Sequence, residues 1–271
     1  MNLRQLTYNP IVGEIVRKLH VRAMARVAYY YLNYPRKGRL PLSCMDVSVR
    51  FCARDPIELR IVELAWLSEQ DFIPVLLEHL EPGDTFLDVG SNLGMFSIFA
   101  ARKVGPEGLV VAFDPEEGAF QRLQENIALN DLTNVRSFQI ALSDRDGRLA
   151  LQVGSNEDVS QGSRLVPIGN DNSAAQRTVS VMIGDHFIQS ERLRIPKVVK
   201  IDVEGHEHAT LMGLRETLSS PLCKMLLCEL HPRQLPSGIS TDDVLRVIES
   251  CGFARRQMHE INTQIHLIAS K

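Results

Sequence analysis

Residues 85–94 (TFLDVGSNLG) place a carboxylate and two glycines between a predicted strand and a predicted helix. The apolar residues around Asp88 indicate a buried strand, and Gly90 and Gly94 allow backbone conformations that a Cβ would obstruct. The first free N–H groups of the following helix would face a ligand lying over this turn. The pattern is typical of a nucleotide-type cofactor site, although glycine in such a turn also serves packing alone.

The turn differs from the dinucleotide fingerprint G-x-G-x-x-G because Asn92 stands at the middle glycine position, and the chain contains no G-x-x-x-x-G-K-[ST] phosphate loop. A carboxylate at Asp88 would repel a pyrophosphate and attract an amine. S-adenosylmethionine carries an amino group and a sulfonium, so it fits this turn better than a dinucleotide does.

A second predicted strand, residues 108–115 (GLVVAFDP), ends in Asp114, twenty residues after Gly94. Doubly wound α/β sheets hold ribose hydroxyls with an acid at this distance. The alternative is that Asp114 caps the next helix. Further along, Ser143 and Asp144 end another strand, where Asp144 could accept a hydrogen bond from the adenine amino group or could simply belong to a polar turn.

Two later strand ends, KIDVEGHE and CELHP, bring carboxylates and imidazoles to one predicted cleft. In methyl transfer an acceptor oxygen attacks the methyl carbon opposite sulfur, and a base removes the hydroxyl proton. The candidates are His231, which we favour narrowly, and His206, with Asp202 orienting the acceptor or stabilising the imidazolium and Glu204 as a further catalytic candidate. Either histidine could instead have a structural role.

Asp202 and Glu204 would also suit Mg²⁺, which prefers carboxylate oxygens. The spacing is not H-E-x-x-H, and Gly205 interrupts any regular ligand face. The sequence therefore favours a site without a metal.

Four blocks carry a family resemblance: DVGSNLGMFSIFAA, AFDPEEGAFQRLQENIALN, ALSDRDG and KIDVEGHE. In this order and spacing they resemble the FkbM-type family of S-adenosylmethionine-dependent methyltransferases, usually O-methyltransferases of sugars or natural products, over residues 82–232. The resemblance implies an α/β class I methyltransferase fold, Rossmann-like, with a seven-stranded, mostly parallel sheet, helices on both faces and an N-terminal helical and β cap. It implies that Asp114, in place of the more usual glutamate, contacts the ribose. The predicted cofactor-binding residues are Asp88, Gly90, Ser91, Asn92, Gly94, Asp114, Ser143, Asp144 and Asp202.

Composition agrees with an enzyme of this kind. The 271 residues are 44% hydrophobic and 23% charged, which suffices for one large core with an added segment. No apolar run approaches the ~18 residues of a membrane span, and the N-terminus lacks a signal-peptide pattern. The five cysteines form no C-x-x-C. We therefore expect a soluble cytoplasmic protein, with a cap at residues 1–68 and the S-adenosylmethionine-binding domain at 69–271.

The first 45 residues are strongly basic, with eight Lys or Arg and one Glu. They predict an amphipathic helix that either packs on the domain or contacts an anionic membrane or a phosphorylated substrate. Nucleic acid is not expected, because the basic residues are confined to this segment and the pI is about 6.3. A short strand or hairpin within residues 40–50 and a helix near residues 56–68 should follow. The polar segment 156–176 is either a substrate loop or a tolerated insertion.

The predicted function is O-methyl transfer to a hydroxyl of a sugar, glycan or polyketide-like metabolite. N-methyltransferases usually show Asp/Asn-Pro-Pro-Tyr where this chain reads IDVEG, which favours oxygen as the acceptor. The alternatives are a non-catalytic cofactor-binding protein and an N-methyltransferase, with an NAD-dependent oxidoreductase further behind.

Overall fold

A computed structural model describes residues 28–35, 37–152, 163–166, 176–261 and 263–271. Its strands are β1 (Arg39–Cys44), β2 (Val47–Cys52), β3 (Thr85–Val89), β4 (Leu109–Phe113), β5 (Val135–Phe138), β6 (Ala141–Ser143), β7 (Gly147–Gln152), β8 (Arg164–Val166), β9 (Gln176–Ile183), β10 (Val198–Asp202), β11 (Met225–Leu230), β12 (Arg255–Ile261) and β13 (Gln264–Ser270). Its helices are α1 (Pro56–Glu69), α2 (Ile73–His79), α3 (Met95–Val104), α4 (Glu117–Leu129), α5 (Gly184–Ser190), α6 (Glu207–Gly213), α7 (Arg215–Ser219) and α8 (Thr241–Ser250).

Seven strands form the main sheet in the order β12-β13-β11-β10-β3-β4-β5. The strands from β11 to β5 are parallel, and only β13 runs in the opposite direction. The chain order reverses beside β3, which has β4 on one side and β10 on the other. Ligands bind at such a reversal, beyond the carboxyl ends of the strands.

Both faces of this sheet are buried, because successive side chains of each strand point to opposite faces. In β3, Phe86 belongs to one hydrophobic cluster and Leu87 to the other; in β10, Val198 and Val199 divide in the same way. The first cluster contains apolar residues of β2, α1, α2 and α3, and the second contains those of α5, α6, α7 and α8. The predicted α/β sheet with helices on both faces is confirmed.

The hairpin and helix expected near the N-terminus are β1–β2 and α1. Asp55 caps α1 by accepting hydrogen bonds from the N–H groups of Ile57 and Glu58, and Pro56 occupies its first turn. The predicted basic helix lies largely outside the described residues, and the division at residue 68 stays a prediction. Among the helices that the model describes, none is both long and apolar enough to cross a membrane.

A second sheet has the order β6-β9-β7-β8. The predicted substrate loop, residues 156–176, falls mostly outside the described residues. Its described part includes β8, which pairs antiparallel with β7. Ser163 and Leu165 of this part line the cleft described below.

Candidate active site

The turn between β3 and α3 packs directly against the end of β10. Gly90 has a φ of 78°, and a Cβ built on it would lie 1.7 Å from the carbonyl oxygen of Asp202. Asn92 also occupies the left-handed region, with a φ of 50°. Only glycine fits at position 90, because any side chain would push the turn away from β10.

Asp114, at the end of β4, is fixed by backbone amides. Its two carboxylate oxygens accept hydrogen bonds from the N–H groups of Asn92, at 2.7 Å, and Glu116, at 2.9 Å. Burial raises the pKa of Asp114 to about 7. The helix cap is Glu116, which accepts from Ala119 N–H, so the alternative of Asp114 as the cap of α4 is wrong. Asp114 lines the cleft with lone pairs left for a ligand.

The sequence predicts that Asp88 contacts the cofactor, but Asp88 is not among the described residues that line the cleft. It lies within β3, is 1% exposed, and accepts a hydrogen bond from the Ser97 hydroxyl at 2.6 Å. Its cationic partner is Lys200, which is directly opposite it in the β3–β10 register, with Nζ 3.7 Å from the Asp88 carboxylate. Because Lys200 supplies the opposite charge, Asp88 joins β3 to β10, and through Ser97 it also joins β3 to α3.

Lys200 joins the two halves of the site, and sequence reasoning missed it. Its Nζ donates to the carbonyl oxygen of Gly90 at 2.7 Å and lies 3.4 Å from Asp202. Burial disfavours the ammonium, but Asp202 and Asp88 outweigh burial and raise the pKa of Lys200. A lysine within an otherwise apolar buried strand is the signal that could have identified it.

His231 lies at the centre of a cluster of carboxylates. Its Nδ1 is 2.7 Å from Glu207, and its Nε2 is 3.4 Å from Glu204, 3.4 Å from Glu229 and 3.9 Å from Asp202. Burial disfavours the imidazolium, but the hydrogen bonds to Glu207 and Glu229 and the charge of Asp202 outweigh burial and raise the pKa of His231 to about 11.

These carboxylates favour the imidazolium, which disfavours His231 as the general base. A protonated imidazole has no lone pair to accept a proton, and His231 is only 2% exposed. The other imidazole, His206, faces the Ser143 hydroxyl at 2.9 Å, and burial lowers its pKa. Neither histidine is among the described residues that line the cleft.

The cleft lies over the carboxyl ends of β3, β4 and β10 and has a volume of about 730 Å³. That volume is typical of small-molecule sites. The predicted residues that line it are Gly90, Asn92, Asp114, Asp202 and Glu204. Apolar side chains line the part near β6 to β8: Ile140, Ala141, Leu142, Leu151 and Leu165.

Besides Asp88, four predicted cofactor residues lie outside this lining: Ser91, Gly94, Ser143 and Asp144. Ser91 donates its backbone N–H to the Phe113 carbonyl oxygen at 2.9 Å, and a Cβ on Gly94 would meet Leu123 at 2.5 Å. Ser143 is buried against His206, whereas Asp144 is exposed. The contact of Asp144 with adenine stays a prediction.

Glu69, Glu229, Gln264 and His266 line the cleft although the sequence prediction did not select them as site residues. Glu69 ends α1, and Gln264 and His266 belong to β13, so only the tertiary fold brings them to β10. Nothing local in sequence distinguishes Glu69 from a solvent-facing helix residue. Glu229 follows an apolar strand directly and could have been selected on that ground.

One set of donors has metal-ligand geometry within the described residues. Single ligand atoms of Asp202, Glu229 and His231 lie within 4.8 Å of one another. In the sequence, Asp202 and Glu204 are the candidate ligands for Mg²⁺. In the structure, Asp202 lies instead with the Glu229 carboxylate of β11 and the His231 imidazole in the loop after it. Acidic groups of this kind occur commonly without an ion.

Comparison with known proteins gives matches that agree with this geometry. Residues 88–254 match the family model described as the methyltransferase FkbM domain. The hexuronic acid methyltransferase AglP of Haloferax volcanii is 31% identical over 66% of this chain and 67% of its own length. The 31-O-demethyl-FK506 methyltransferase FkbM of Streptomyces tacrolimicus is 26% identical over 71% of this chain and 82% of its own.

The crystal structure of methyltransferase FkbM from Methylobacillus flagellatus KT aligns with a TM-score of 0.51 at 15% identity. The alignment covers 74% of this chain and 46% of that one, so this chain spans about half the length of that protein. The likeness supports the class I methyltransferase fold. With the family model covering more than half of the sequence, the chain belongs to the FkbM family of S-adenosylmethionine-dependent methyltransferases.

Proposed function

We propose that the chain transfers a methyl group from S-adenosylmethionine to a hydroxyl of a sugar, glycan or polyketide-like metabolite. The observation that carries the proposal is a cleft with two parts. One part is apolar and reaches Asp114, and the other contains the carboxylates at the ends of β10 and β11. The names of two relatives, for a hexuronic acid and for 31-O-demethyl-FK506, favour hydroxylated small molecules as acceptors.

The cofactor fits the cleft in one orientation. Apolar Leu142 and Leu165 suit an adenine ring, and Asp114 suits the ribose because its remaining lone pairs accept from hydroxyl groups. The methionine end then reaches Gly90, next to Asp202. A sulfonium in this position is stabilised by the carboxylates of β10 and β11.

Alignment of the acceptor with the methyl group supplies much of the catalysis, since well-oriented reactions gain about 7–11 kcal/mol from it. We propose Glu204 as the proton acceptor and Asp202 as the group that orients the hydroxyl. Glu204 lines the cleft and holds a φ of 49°, and Gln234 donates to its carboxylate at 2.7 Å. A non-glycine residue in this strained region is typical of functional positions. His231, held by Glu207, positions both carboxylates.

Two experiments test this function. Calorimetry should detect binding of S-adenosylhomocysteine and none of NADH; the reverse result would favour an oxidoreductase. Tritiated S-adenosylmethionine, incubated with the protein and a small-molecule extract of the producing cells, should label a product that contains an O-methyl group. Binding without transfer would favour the non-catalytic alternative, and an N-methyl product would contradict oxygen as the acceptor.

The catalytic assignment has its own test. Glu204→Gln should lower turnover about 10²-fold or more, the range for loss of a general base. Its affinity for S-adenosylhomocysteine should stay near that of wild type. The exposed Glu78→Gln is the matched control, since Glu78 lies on α2 and outside the cleft lining. Normal turnover in Glu204→Gln would show that another group takes the proton.

We also propose a reducing, cytoplasmic compartment. All five cysteines are described as free, and Cys223, Cys228 and Cys251 are buried. Free buried thiols are ordinary in a reducing environment, whereas secreted proteins commonly pair theirs. Cell fractionation with a tagged protein tests this location.

A further inference from the structure

The cleft is lined by carboxylates and by no described lysine or arginine. Its acidic residues are Glu69, Asp71, Asp114, Glu116, Asp202, Glu204 and Glu229, and His266 is the only described basic side chain that accompanies them. The electrostatic potential of such a cleft favours cations and repels anions.

Some of these acids already have partners. Asp114 accepts from two backbone amides, and Glu116 caps α4 and lies 3.7 Å from Arg177. Asp202 faces Lys200, and it shares His231 with three glutamates, Glu204, Glu207 and Glu229. The carboxylates on the cofactor side of the cleft therefore have partners, whereas those on the opposite side have fewer.

Glu69 is the exception on that opposite side. Its Oε2 is buried and has no hydrogen-bond partner among the described residues. It lines the cleft and also a small cavity shared with Lys200, Glu229 and His266. Burial raises the pKa of Glu69 well above its usual range; the charge of Lys200 opposes this shift, and the neighbouring acids add to it. A buried carboxyl oxygen without a partner costs stability, and rotation of the Glu69 side chain would let a donor from a ligand satisfy it.

The charges in the cluster around Lys200 and His231 also favour a cationic ligand. Five carboxylates surround these two cations: Asp88, Asp202, Glu204, Glu207 and Glu229. Fully ionised, they leave an excess of three negative charges. S-adenosylmethionine carries an ammonium, a sulfonium and a carboxylate, so it offsets one of the three.

We propose that the acceptor carries an ammonium group near its reacting hydroxyl, as an amino sugar does, and that the cleft rejects acceptors bearing a carboxylate or a phosphate. The acceptor class therefore differs from the hexuronic acid in the name of the relative AglP. The inference rests on the proposed function and names the substrate class. Proteins recognise carboxylates and phosphates with Arg and Lys, which the described lining lacks. The ammonium would occupy the region of Glu69 and Glu229. An amine paired with carboxylates stays protonated and has no lone pair, so the hydroxyl remains the nucleophile.

Three matched probes test the proposal: methyl glucosaminide, methyl glucoside and methyl glucuronide. The glucosaminide and the glucuronide each differ from the glucoside in one substituent. Each is titrated by calorimetry into the protein saturated with S-adenosylhomocysteine, with EDTA present. The glucosaminide should bind about tenfold or more tighter than the glucoside, the ratio of one charge-assisted hydrogen bond, and the glucuronide weakest. Glu69→Gln and Glu229→Gln should each reduce this ratio, while Glu78→Gln should preserve it.

The other outcomes overturn the proposal. The first is a glucoside or glucuronide that binds as tightly as the glucosaminide. The second is an affinity ratio of glucosaminide to glucoside that neither variant changes. The third is no binding of any probe to a protein that does bind S-adenosylhomocysteine. Repeating the titration with Mg²⁺ in place of EDTA separates a metal site from an amine site, since glucuronide binding that requires Mg²⁺ would also overturn it. Failure to bind S-adenosylhomocysteine would instead contradict the proposed function.

Discussion

Gly90→Ala should damage both the fold and the cofactor site, and Gly83→Ala offers a matched control. Both glycines have positive φ, 78° and 88°, but a Cβ on Gly83 meets nothing within 4 Å, whereas one on Gly90 lies 1.7 Å from the Asp202 carbonyl oxygen. The left-handed backbone alone costs alanine about 1–2 kcal/mol. Overpacking against β10 adds about 1–3 kcal/mol, because a backbone atom cannot move as a side-chain end does.

Urea unfolding measures both variants against wild type, and calorimetry with S-adenosylhomocysteine measures the site. Gly83→Ala should lose about 1–2 kcal/mol of unfolding free energy and keep its affinity. Gly90→Ala should lose clearly more and bind the ligand weakly, because the turn must separate from Asp202. Equal losses in the two variants, with normal ligand affinity in both, would refute the claim that the turn packs directly on β10.

Three further predictions concern the charged groups. The pKa of His231, about 11, exceeds the ordinary histidine value of about 6.5, so the imidazolium stabilises the fold fully below that value and loses this effect as the pH rises toward 11; urea unfolding of His231→Ala should lack that decline. The pKa of Asp114 is about 7, and its ionised form accepts ribose hydroxyls, so calorimetric affinity for S-adenosylhomocysteine should increase as the pH rises through 7 and Asp114→Asn should abolish the dependence. Lys200→Met should cost about 3–5 kcal/mol of unfolding free energy because Asp88 is left buried without its cation, and a loss near zero in urea would contradict the pairing.

The fold was predictable because its signals are local. Apolar strands that end in acids, followed by amphipathic helices, predict a doubly wound sheet. The glycine turn and Asp114 are also defined by short spacings, and the structure brings both to the cleft. The hairpin and the Asp55 cap of α1 follow from equally local patterns.

The charge balance of the site was not predictable in the same way. Asp88 and Lys200 lie far apart in sequence, and only the β3–β10 register pairs them. The sequence places His231 near several acids, but it does not reveal that Glu207 binds Nδ1 or that burial encloses the ring. A base was therefore predicted where the surrounding carboxylates favour an imidazolium. Glu69 reaches the cleft through the packing of α1, which no motif records.

A crystal structure with bound S-adenosylhomocysteine tests the central claim most directly. The account predicts that the ribose hydroxyls contact Asp114, that adenine lies against Leu142 and Leu165, and that sulfur faces Asp202 and Glu204 across open space for an acceptor. A ligand bound elsewhere, or a ribose held without Asp114, would contradict it.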